Sequence, residues 1–419
     1  MTAFKYNRPK GTQDFVPPQS ERKFAVEMLF RELAGLYGYR EIVTPTFEHT
    51  ELFIRSSGIA SDIVTKEMYT FNDRADRSLT LKPEGTPGVI RALLENGLRL
   101  PYRLFYIAPF FRYNRPQKGR YREFYQLGLE ALGEASPLTD AEVVYLGVEF
   151  FSRLKITDCV VRVNSIGCRS CRPALREKLV SYLHTHQGGL CPDCNGRIEL
   201  NPLRVFDCKN PECRKTLAEA PLPSNHLCPD CQHHFEVFLD WLTVLGVKFE
   251  VDASLVRGLD YYNRTTFEII SSALGAQISL GGGGRYDYLI EELGGPATPA
   301  VGMAIGLERT MFSMPEDQAA ESRRKLVFVV WTSEKEFRPA WELVNRLRAA
   351  GIPAQLSYDR PKIRHQFHLA DISGAIVAVI AGETELLRGV YGIKNLKTGE
   401  QHEVPVNEIV TYLKSLIGG

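Results

Sequence analysis

The chain has 419 residues, of which 44% are apolar and 24% charged, and its formal net charge is +1. This length allows two or three domains with substantial cores, and the near-neutral balance excludes a global basic field, so any contact with nucleic acid must come from local patches. We expect a cytoplasmic protein without a membrane segment, because no apolar run approaches the roughly 18 residues that span a bilayer and the N-terminus lacks the apolar core of a secretory signal.

The first elements are helices and strands of ordinary amphipathic character. Apolar residues at helical spacing predict a helix from Ser20 to Tyr37, and a strand follows that ends at Pro45. A second helix is expected from Thr86, with that threonine as its N-cap and a proline in first position, to Gly97. Residues 139–154 predict another helix behind the sheet.

The stretch RYNRPQKGRYREFYQLGLE, residues 112–130, predicts an antiparallel hairpin around a turn at Pro116 and Gly119. Four arginines crowd this turn: Arg112, Arg115, Arg120 and Arg122. Because side chains alternate along a strand, one face of the returning arm carries two cations, a phenyl ring, an amide and a carboxylate. Such a face suits a nucleotide beside a small zwitterion, whereas the alternative is an exposed hairpin with solvated charges.

The nine cysteines are clustered, since all except Cys159 lie between Cys168 and Cys231. Residues 168–242 also lose strand-like alternation, which indicates a mostly helical insertion. In a cytosolic protein, clustered cysteines favour a metal site, or the remnant of one, over a disulfide framework. The two CPDC pairs have the spacing of zinc knuckles, and together they would form a closed four-thiolate zinc site with Cys191, Cys194, Cys228 and Cys231 as ligands. Cys208 and Cys213 either add to this site or compete with it, and Cys168 and Cys171 are the less favoured ligands.

Beyond the insertion, two strands at hairpin distance are expected in VKFEVDASLVRGLDYY and TTFEIISS. Arg257 falls on the first, between apolar residues, where a buried cation needs an anionic partner. A glycine run from Gly281 to Gly284 allows a ligand to approach closely. A strand and helix, VGMAIGLERT, follow, and from residue 326 strands and helices alternate as in a small α/β domain with a partly parallel sheet.

Several of these motifs resemble those of one family. The hairpin is similar to motif 2 of class II aminoacyl-tRNA synthetases in the form typical of histidyl-tRNA synthetases. LVRGLDYY and GGGGRYDYLIEELGG resemble the two histidine signatures, and RPKGTQDF and LKPEGT also match. The resemblance implies an α+β fold with an antiparallel class II sheet flanked by helices. The catalytic domain would comprise residues 1–325, including the insertion, and an α/β anticodon-binding domain residues 326–419.

The resemblance also implies roles for residues around ATP. Arg112 would hold the α-phosphate, Arg120 and Arg309 the terminal phosphates, and Mg²⁺ would bridge the outer phosphates. Phe124 would stack on adenine, and Arg257 would act with Arg112 as a fixed positive charge at the reacting centre. Asn114 stands where the family usually has an acid that contacts adenine, but it keeps an acceptor for the exocyclic amine.

Histidine recognition would rest on polar groups that pair with both imidazole nitrogens. The resemblance gives these roles to Glu130 and Tyr262, and places Glu84, Thr86 and Gln126 around the amino-acid backbone. Tyr261 and Tyr286 would close the pocket. A second departure, Tyr288 in place of the usual glycine, has no explanation in the sequence.

The implied activity is ligation of L-histidine to tRNA(His) through histidyl-adenylate, by a homodimer whose dimer-forming element resembles the segment that ends at Pro45. Lys362, Arg364 and His365 either contribute to a tRNA surface or form a solvated loop. The competing interpretation is the histidine-sensing regulatory paralogue of ATP phosphoribosyltransferase. That paralogue typically lacks the C-terminal domain and the catalytic arginines, both of which are present here.

Overall fold

The fold is described from a computed structural model. It covers residues 6–58, 61–117, 119–272, 278–315, 325–359 and 362–418. The chain forms two compact units, Met1–Glu321 and Ser322–Gly419. Within these residues, no helix combines the length and apolar character needed to cross a bilayer.

The first unit mixes strands and helices throughout. Its strands are β1 (Arg40–Glu41), β2 (Phe47–His49), β3 (Tyr69–Asn72), β4 (Ser78–Leu81), β5 (Tyr102–Phe111), β6 (Glu123–Leu132), β7 (Val160–Ser165), β8 (Phe249–Val251), β9 (Asn263–Ser271), β10 (Ile278–Arg285) and β11 (Ala300–Gly306). Its helices are α1 (Gln19–Leu36), α2 (Thr50–Ser57), α3 (Thr86–Glu95), α4 (Pro137–Arg153), α5 (Arg172–Thr185), α6 (Pro192–Leu200), α7 (Pro211–Leu217), α8 (Pro229–Val244), α9 (Leu289–Glu292) and α10 (Leu307–Ser313).

Eight of the described strands form one sheet in the order β1-β5-β6-β11-β10-β9-β7-β8. Neighbours from β5 to β7 are antiparallel, and only the edge pairs β1/β5 and β7/β8 are parallel. The expected antiparallel sheet is therefore confirmed, as is the β5–β6 hairpin, which pairs Tyr102 with Leu132 and Phe111 with Glu123. Strands β2, β4 and β3 form a separate small antiparallel sheet.

The hairpin predicted after the insertion is wrong. Strand β8 pairs with β7, which lies between β8 and β9, so the two segments are not neighbours. Residues 252–262 form a connection that crosses β7 instead of a tight turn. The side-chain amide of Asn164 donates to the carbonyls of Ala253 and Leu255 at 3.1 and 2.9 Å and fixes this connection, here called the histidine loop.

The main core lies on one face of the large sheet. Helices α1, α4 and α8 cover it with aromatic and aliphatic side chains such as Phe30, Phe150 and Phe238, which are fully buried. Burying each such side chain contributes roughly 1.5–3 kcal/mol. Helix α4 begins after Ser136, whose hydroxyl accepts from the backbone N–H of Leu138 at 3.2 Å.

The insertion is mostly helical, as expected, and consists of α5 to α8 with short 3₁₀ turns. Its last helix is joined to the body by a buried charge cluster. His234 of α8 bonds Asp140 of α4 at 2.8 Å, and Asp140 also pairs with Arg285 of β10, which is 0% exposed. The Arg285 guanidinium donates further to the carbonyls of Glu134 and Ser136, so its hydrogen-bonding capacity is largely used.

The second unit is the small α/β domain that the alternation predicted. Its strands and helices are β12 (Val327–Trp331), α11 (Glu334–Ala349), β13 (Ala354–Leu356), α12 (Ile363–Ile372), β14 (Val377–Ala381), α13 (Glu383–Leu387), β15 (Val390–Asn395), β16 (Gln401–Pro405) and α14 (Ile409–Gly418). The sheet order is β13-β12-β14-β15-β16, parallel up to β14 and antiparallel beyond it. The buried Gln366 amide bonds the backbone of Trp331 in both directions and ties α12 to β12.

Candidate active site

A cavity of about 880 Å³ lies on the face of the large sheet opposite the main core. The strand alternation of β6 separates the two faces, since Leu127 and Leu129 are buried in the core whereas Phe124 and Gln126 line the cavity. The histidine loop and the start of α3 form other walls. All but one of the residues predicted to bind ATP or histidine line this active-site cavity: Glu84, Thr86, Arg112, Asn114, Arg120, Phe124, Gln126, Arg257, Tyr261, Tyr262 and Arg309.

One half of the cavity is cationic. Arg112 donates to the carbonyl of Pro83 at 2.9 Å, and its guanidinium lies 5.5 Å from the centre of the Phe124 ring. Arg309, in the first turn of α10, donates to the carbonyls of Gly119 and Ser279 at 3.1 and 2.9 Å. These backbone bonds orient both guanidinium groups without neutralising their charge.

The arginines are close enough to influence one another. Burial lowers the pKa of Arg309. The guanidinium groups that lower the pKa of Arg309 further are Arg120, Arg112 and Arg257. Four cations therefore converge on one space, and a polyanion there would replace their mutual repulsion by attraction.

Arg257 lies on the histidine loop and not on a buried strand, which corrects the expectation. Its guanidinium is 3.5 Å from the Glu268 carboxylate, and its Nε is buried without a hydrogen-bond partner. The close packing requires glycine in β10, because a Cβ on Gly282 would lie 2.8 Å from the Nη1 of Arg257. The sequence predicted the close approach of a ligand at the glycine run, and here an arginine occupies part of that space.

Two hairpin arginines play no part in lining the cavity. Arg122 stacks 3.8 Å from the Tyr113 ring and donates to the carbonyl of Asn114 at 3.3 Å, while Arg115 is exposed. The side-chain oxygen of Asn114 accepts from Arg120 at 3.2 Å. Asn114, which departs from the family pattern, thus keeps an acceptor oxygen, but Arg120 already donates to that oxygen.

Two buried carboxyl groups lie at the other end of the cavity, Glu84 in its wall and Glu130 beneath its floor. Glu84 accepts from the hydroxyls of Ser57 and Tyr261, and burial raises the pKa of this carboxyl. Glu130 accepts from Thr86 at 2.6 Å and from Tyr286. Burial, reinforced by the nearby Glu84 charge, raises the pKa of Glu130 to about 8, so the group holds a proton at neutral pH.

Glu130 is the one predicted ligand that does not line the cavity. It lies just below the floor, where the hydroxyls of Thr86 and Tyr286 separate it from the open space. Neighbouring glycine makes room for it, since a Cβ on Gly302 would lie 2.0 Å from its Oε2. The prediction that Thr86 caps α3 is wrong: Gly85 holds the cap position, and the threonine hydroxyl is turned to the carboxyl of Glu130.

The tyrosines of the two signatures form an aromatic group at the same end. The rings of Tyr261 and Tyr262 are 4.7 Å apart, and those of Tyr261 and Tyr286 are 5.7 Å apart. Burial raises the pKa of Tyr262 to about 12, which keeps the phenol protonated and able to donate. Tyr106 also lines this end and was missed in the sequence, where it is one of several aromatic residues on an apolar strand.

The insertion supplies cavity residues that the sequence did not predict. Arg204 is 6% exposed and donates to the carbonyl of Gly258 and to Asp62, at 2.5 and 2.9 Å. Asn201 donates to Asp260 of the histidine loop at 2.6 Å. In the sequence, only the basic residues of the insertion could have indicated a role in the cavity. They are remote from the two signatures along the chain, so the contact between the insertion and the histidine loop could not be predicted.

The predicted grouping of the cysteines is wrong. The proximal cluster brings together the sulfur atoms of Cys168, Cys171, Cys228 and Cys231, and the distal cluster those of Cys191, Cys194, Cys208 and Cys213. Within each cluster, all four sulfurs lie within 4.8 Å of one another. The two CPDC pairs begin different helices, α6 and α8, and belong to different clusters. The prediction paired the two CPDC motifs because they are identical in sequence. In the fold, each CPDC pair instead meets a cysteine pair with a different intervening sequence.

Tyr288, for which the sequence gave no explanation, packs beside the proximal cluster. Its hydroxyl accepts from the backbone N–H of Arg169 at 3.3 Å, and the Arg169 guanidinium lies 4.0 Å from the ring centre. This tyrosine therefore supports the turn between Cys168 and Cys171.

Comparison with known proteins identifies the family. A family model described as histidyl-tRNA synthetase matches residues 11–171 and 211–310, and one described as anticodon binding domain matches residues 326–416. The interruption at residues 172–210 falls on the part of the insertion that carries most of the distal cluster.

Full-length relatives agree with this match. The histidine–tRNA ligase of Moorella thermoacetica is 48% identical over 98% of both chains, and that of Desulforudis audaxviator is 46% identical over 97% of this chain and 98% of its own. The solved structure of apo histidyl-tRNA synthetase from S. aureus is 33% identical, with a TM-score of 0.82 over 98% of this chain and 100% of that one. The chain belongs to the histidyl-tRNA synthetases, a family of class II aminoacyl-tRNA synthetases.

Proposed function

We propose that the active-site cavity binds L-histidine and ATP side by side and joins them as histidyl-adenylate, before histidine passes to the terminal ribose of tRNA(His). Histidine–tRNA ligation is the activity that membership of the family establishes. The residue assignments within the cavity are the proposal, and one observation supports them above all. Four guanidinium groups line one end of the cavity, and the buried carboxyl groups of Glu84 and Glu130 lie at the other end, in the wall and beneath the floor.

Histidine occupies the carboxyl and tyrosine end. Neutral imidazole offers one donor and one acceptor, which the Glu130 carboxylate and the protonated Tyr262 phenol complement. The ring reaches Glu130 by replacing one of the hydroxyls that cover it. Glu84, Thr86 and Gln126 then surround the amino-acid backbone, and ligands without matching hydrogen bonds are rejected because the buried polar groups would be left unpaired.

ATP occupies the cationic end. Phe124 stacks on adenine, whose exocyclic amine donates to Asn114 once that oxygen is released by Arg120. Arg112 holds the α-phosphate, while Arg120 and Arg309 hold the terminal phosphates. When the Asn114 oxygen accepts from adenine instead of from Arg120, the Arg120 guanidinium becomes available for the triphosphate.

The reaction is an in-line displacement that requires no general base. An oxygen of the ionised histidine carboxylate bonds to the α-phosphorus, and the bond to pyrophosphate breaks. Arg257 and Arg112 stabilise the charge that develops, by position and by electrostatics. Class II synthetases use a divalent ion with ATP, and Mg²⁺ bound together with ATP would supply further positive charge. Glu268 fits as its protein ligand, because this carboxylate lines the cavity among the arginines.

The transfer of histidine to tRNA requires catalysis and tRNA binding, which we assign to different parts of the chain. We assign catalysis to residues 1–325 and anticodon binding to residues 326–419, where the matching domain model supports the latter. Lys362 and Arg364 are exposed at the start of α12, and His365 is half-buried. Arg364 and His365 lie within the helix, so the solvated loop is corrected to a solvated helix end, and we keep these residues as contributors to a tRNA surface.

We also propose a cytoplasmic homodimer. Apolar side chains exposed around the segment that ends at Pro45, which resembles the dimer-forming element of the family, support it, since Val43 is 88% exposed and Phe47 is 50% exposed. Light scattering of the purified protein gives the test: a mass twice the 47.3 kDa of the chain supports the dimer, and a monomer at micromolar concentration refutes it.

Histidine-dependent ATP–pyrophosphate exchange tests the assigned reaction. We expect exchange with histidine and none with a histidine analogue that lacks the carboxylate. The regulatory paralogue would bind histidine without exchange. It is not favoured, because the relatives that match over the full length are ligases and the anticodon-binding model also matches.

A further inference from the structure

We propose that the insertion binds two zinc ions, one in the proximal cluster and one in the distal cluster, each held by four thiolates. The two ions would be structural, since four protein ligands leave no position for water or substrate. The sites go beyond the single mixed site suggested by the CPDC pairs, and they account for every cysteine except Cys159.

The distances between sulfur atoms match a tetrahedral zinc site. A Zn–S bond of about 2.3 Å in tetrahedral geometry places neighbouring sulfurs about 3.8 Å apart. The structure gives 3.7 Å for Cys168 to Cys171, 3.8 Å for Cys168 to Cys228 and 3.9 Å for Cys191 to Cys208. Disulfide sulfurs would be about 2 Å apart, and thiolates on an iron–sulfur cluster bind different iron atoms and are therefore spread more widely.

Backbone donors aim at the sulfurs, as expected for thiolates. The N–H of Cys191 donates to the sulfur of Cys213 at 3.0 Å, and the N–H of Cys228 donates to the sulfur of Cys171 at 3.1 Å. The two bonds are equivalent: in each cluster the first cysteine of a CPDC pair donates to the second cysteine of the other pair. Such bonds stabilise negative charge on sulfur and orient metal ligands.

Apolar packing of free thiols is the alternative, because cysteine is often buried as a small apolar residue. It does not explain why eight sulfurs separate into two sets of four with the same bonding pattern. The region around the distal cluster has a small apolar core of its own, which includes Leu183, Ile198 and Val205. Helices α6 and α7 have nine and seven residues, lengths that are marginal in water without strong tertiary support. A metal that joins their ends would supply that support.

The distal site would hold a wall of the active-site cavity in place. Asn201 and Arg204 lie between Cys194 and Cys208, and both bond the histidine loop. Losing the ion would free the two ends of this segment and loosen its contacts with the loop. This part of the inference rests on the proposed function of the cavity, whereas the metal content does not.

The proximal site would fix the root of the insertion. It joins the chain just after β7 to the start of α8, two points that are distant in sequence. Arg172, next to Cys171, donates to the carbonyl of Tyr262, so this site also supports the histidine pocket. Tyr288 supports the same turn from outside.

Elemental analysis of the full-length protein, purified under reducing conditions, tests the number and nature of the ions. We expect two zinc ions per chain, and two also in the control Cys159→Ser. Cys171→Ser and Cys213→Ser should each retain one, whereas Cys191→Ser combined with Cys228→Ser should retain none. If a single site were built from the CPDC pairs alone, Cys171→Ser and Cys213→Ser would keep the metal content of the wild type, and this result would overturn the proposal. Iron in place of zinc would also overturn it.

Cobalt replacement keeps the test independent of variants that fail to fold. Wild-type protein loaded with Co²⁺ should show the thiolate charge-transfer and visible bands of tetrahedral four-thiolate sites, at two equivalents per chain. Chelated protein should show a several-fold higher KM for histidine in the exchange assay, reversed by zinc. Folded protein that contains no metal and gains no cobalt bands overturns the sites, and an unchanged KM after metal removal overturns their support of the pocket.

Discussion

Replacing Arg257 by alanine tests the electrostatic account of adenylate formation. The guanidinium reaches into the cavity from the histidine loop, and its Nη1 lies 3.5 Å from Glu268 with the side chain 23% exposed. Its charge is therefore partly neutralised and partly hydrated before ATP binds. We expect Arg257→Ala to slow activation strongly while the affinity for histidine changes little.

The magnitude follows from Coulomb's law. Two unit charges about 4 Å apart, at an effective dielectric constant of about 20, attract by about 4 kcal/mol. Because Glu268 and water weaken this attraction, about 2–3 kcal/mol should remain for the transition state, close to the loss measured when one oxyanion donor is removed. That energy corresponds to roughly a 30- to 150-fold lower rate.

The assay separates rate from binding. Single-turnover formation of histidyl-adenylate gives the rate, and calorimetry without ATP gives the affinity for histidine. Arg257→Lys keeps the charge and should lose less, and Arg153→Ala, which removes an exposed arginine on α4, should lose nothing. Equal losses of rate and affinity in Arg257→Ala would show that the residue shapes the pocket and does not act on the transition state.

Three further predictions concern buried groups. Because burial raises the pKa of Glu130 to about 8, binding of neutral histidine to its carboxylate should release a proton, so affinity should rise nearly tenfold from about pH 6.5 to about pH 7.5 and level off above about 8. Glu130→Gln should bind histidine more weakly and lose this rise, and calorimetry showing a flat wild-type profile would contradict the prediction. Gly302→Ala should push the same carboxylate, weaken histidine binding at least tenfold and cost about 1–3 kcal/mol of stability. The control Gly35→Ala, whose new methyl meets nothing within 4 Å in helix α1, should leave histidine binding unchanged and should not lower stability. Burial opposes ionisation of Asp140, but Arg285 outweighs this effect and lowers the pKa of the carboxyl in the folded protein. The ionised cluster therefore stabilises the fold at any pH above the pKa of about 3.9 that Asp has in the unfolded chain, and this stability is lost as the pH falls through the lower pKa of the folded state. Asp140→Asn should cost about 3–5 kcal/mol in urea unfolding at pH 7 and remove that acid dependence, and a loss under 1 kcal/mol would show that the cluster is not needed.

Local residue patterns were enough for much of the catalytic site. The hairpin's alternation placed Phe124 and Gln126 on the cavity face, because the period of a strand is two and does not depend on the rest of the fold. The same rule failed for Arg122, where the strand has not yet begun and the side chain turns to Tyr113. Thr86 was misjudged for a related reason: a local cap competes with a buried carboxyl that is remote in sequence.

Residue type and short-range spacing thus revealed the arginines, the acids, the tyrosines and the nature of both sheets, since hydrogen-bonding capacity and periodicity belong to the chain itself. The tertiary structure alone decides which remote segments meet, through the order of the strands in the sheet and the way the insertion folds back on itself. That order put β7 between β8 and β9, moved Arg257 onto a loop and divided the cysteines between two clusters. Contacts between distant segments depend on the whole packed core, and no local pattern encodes them.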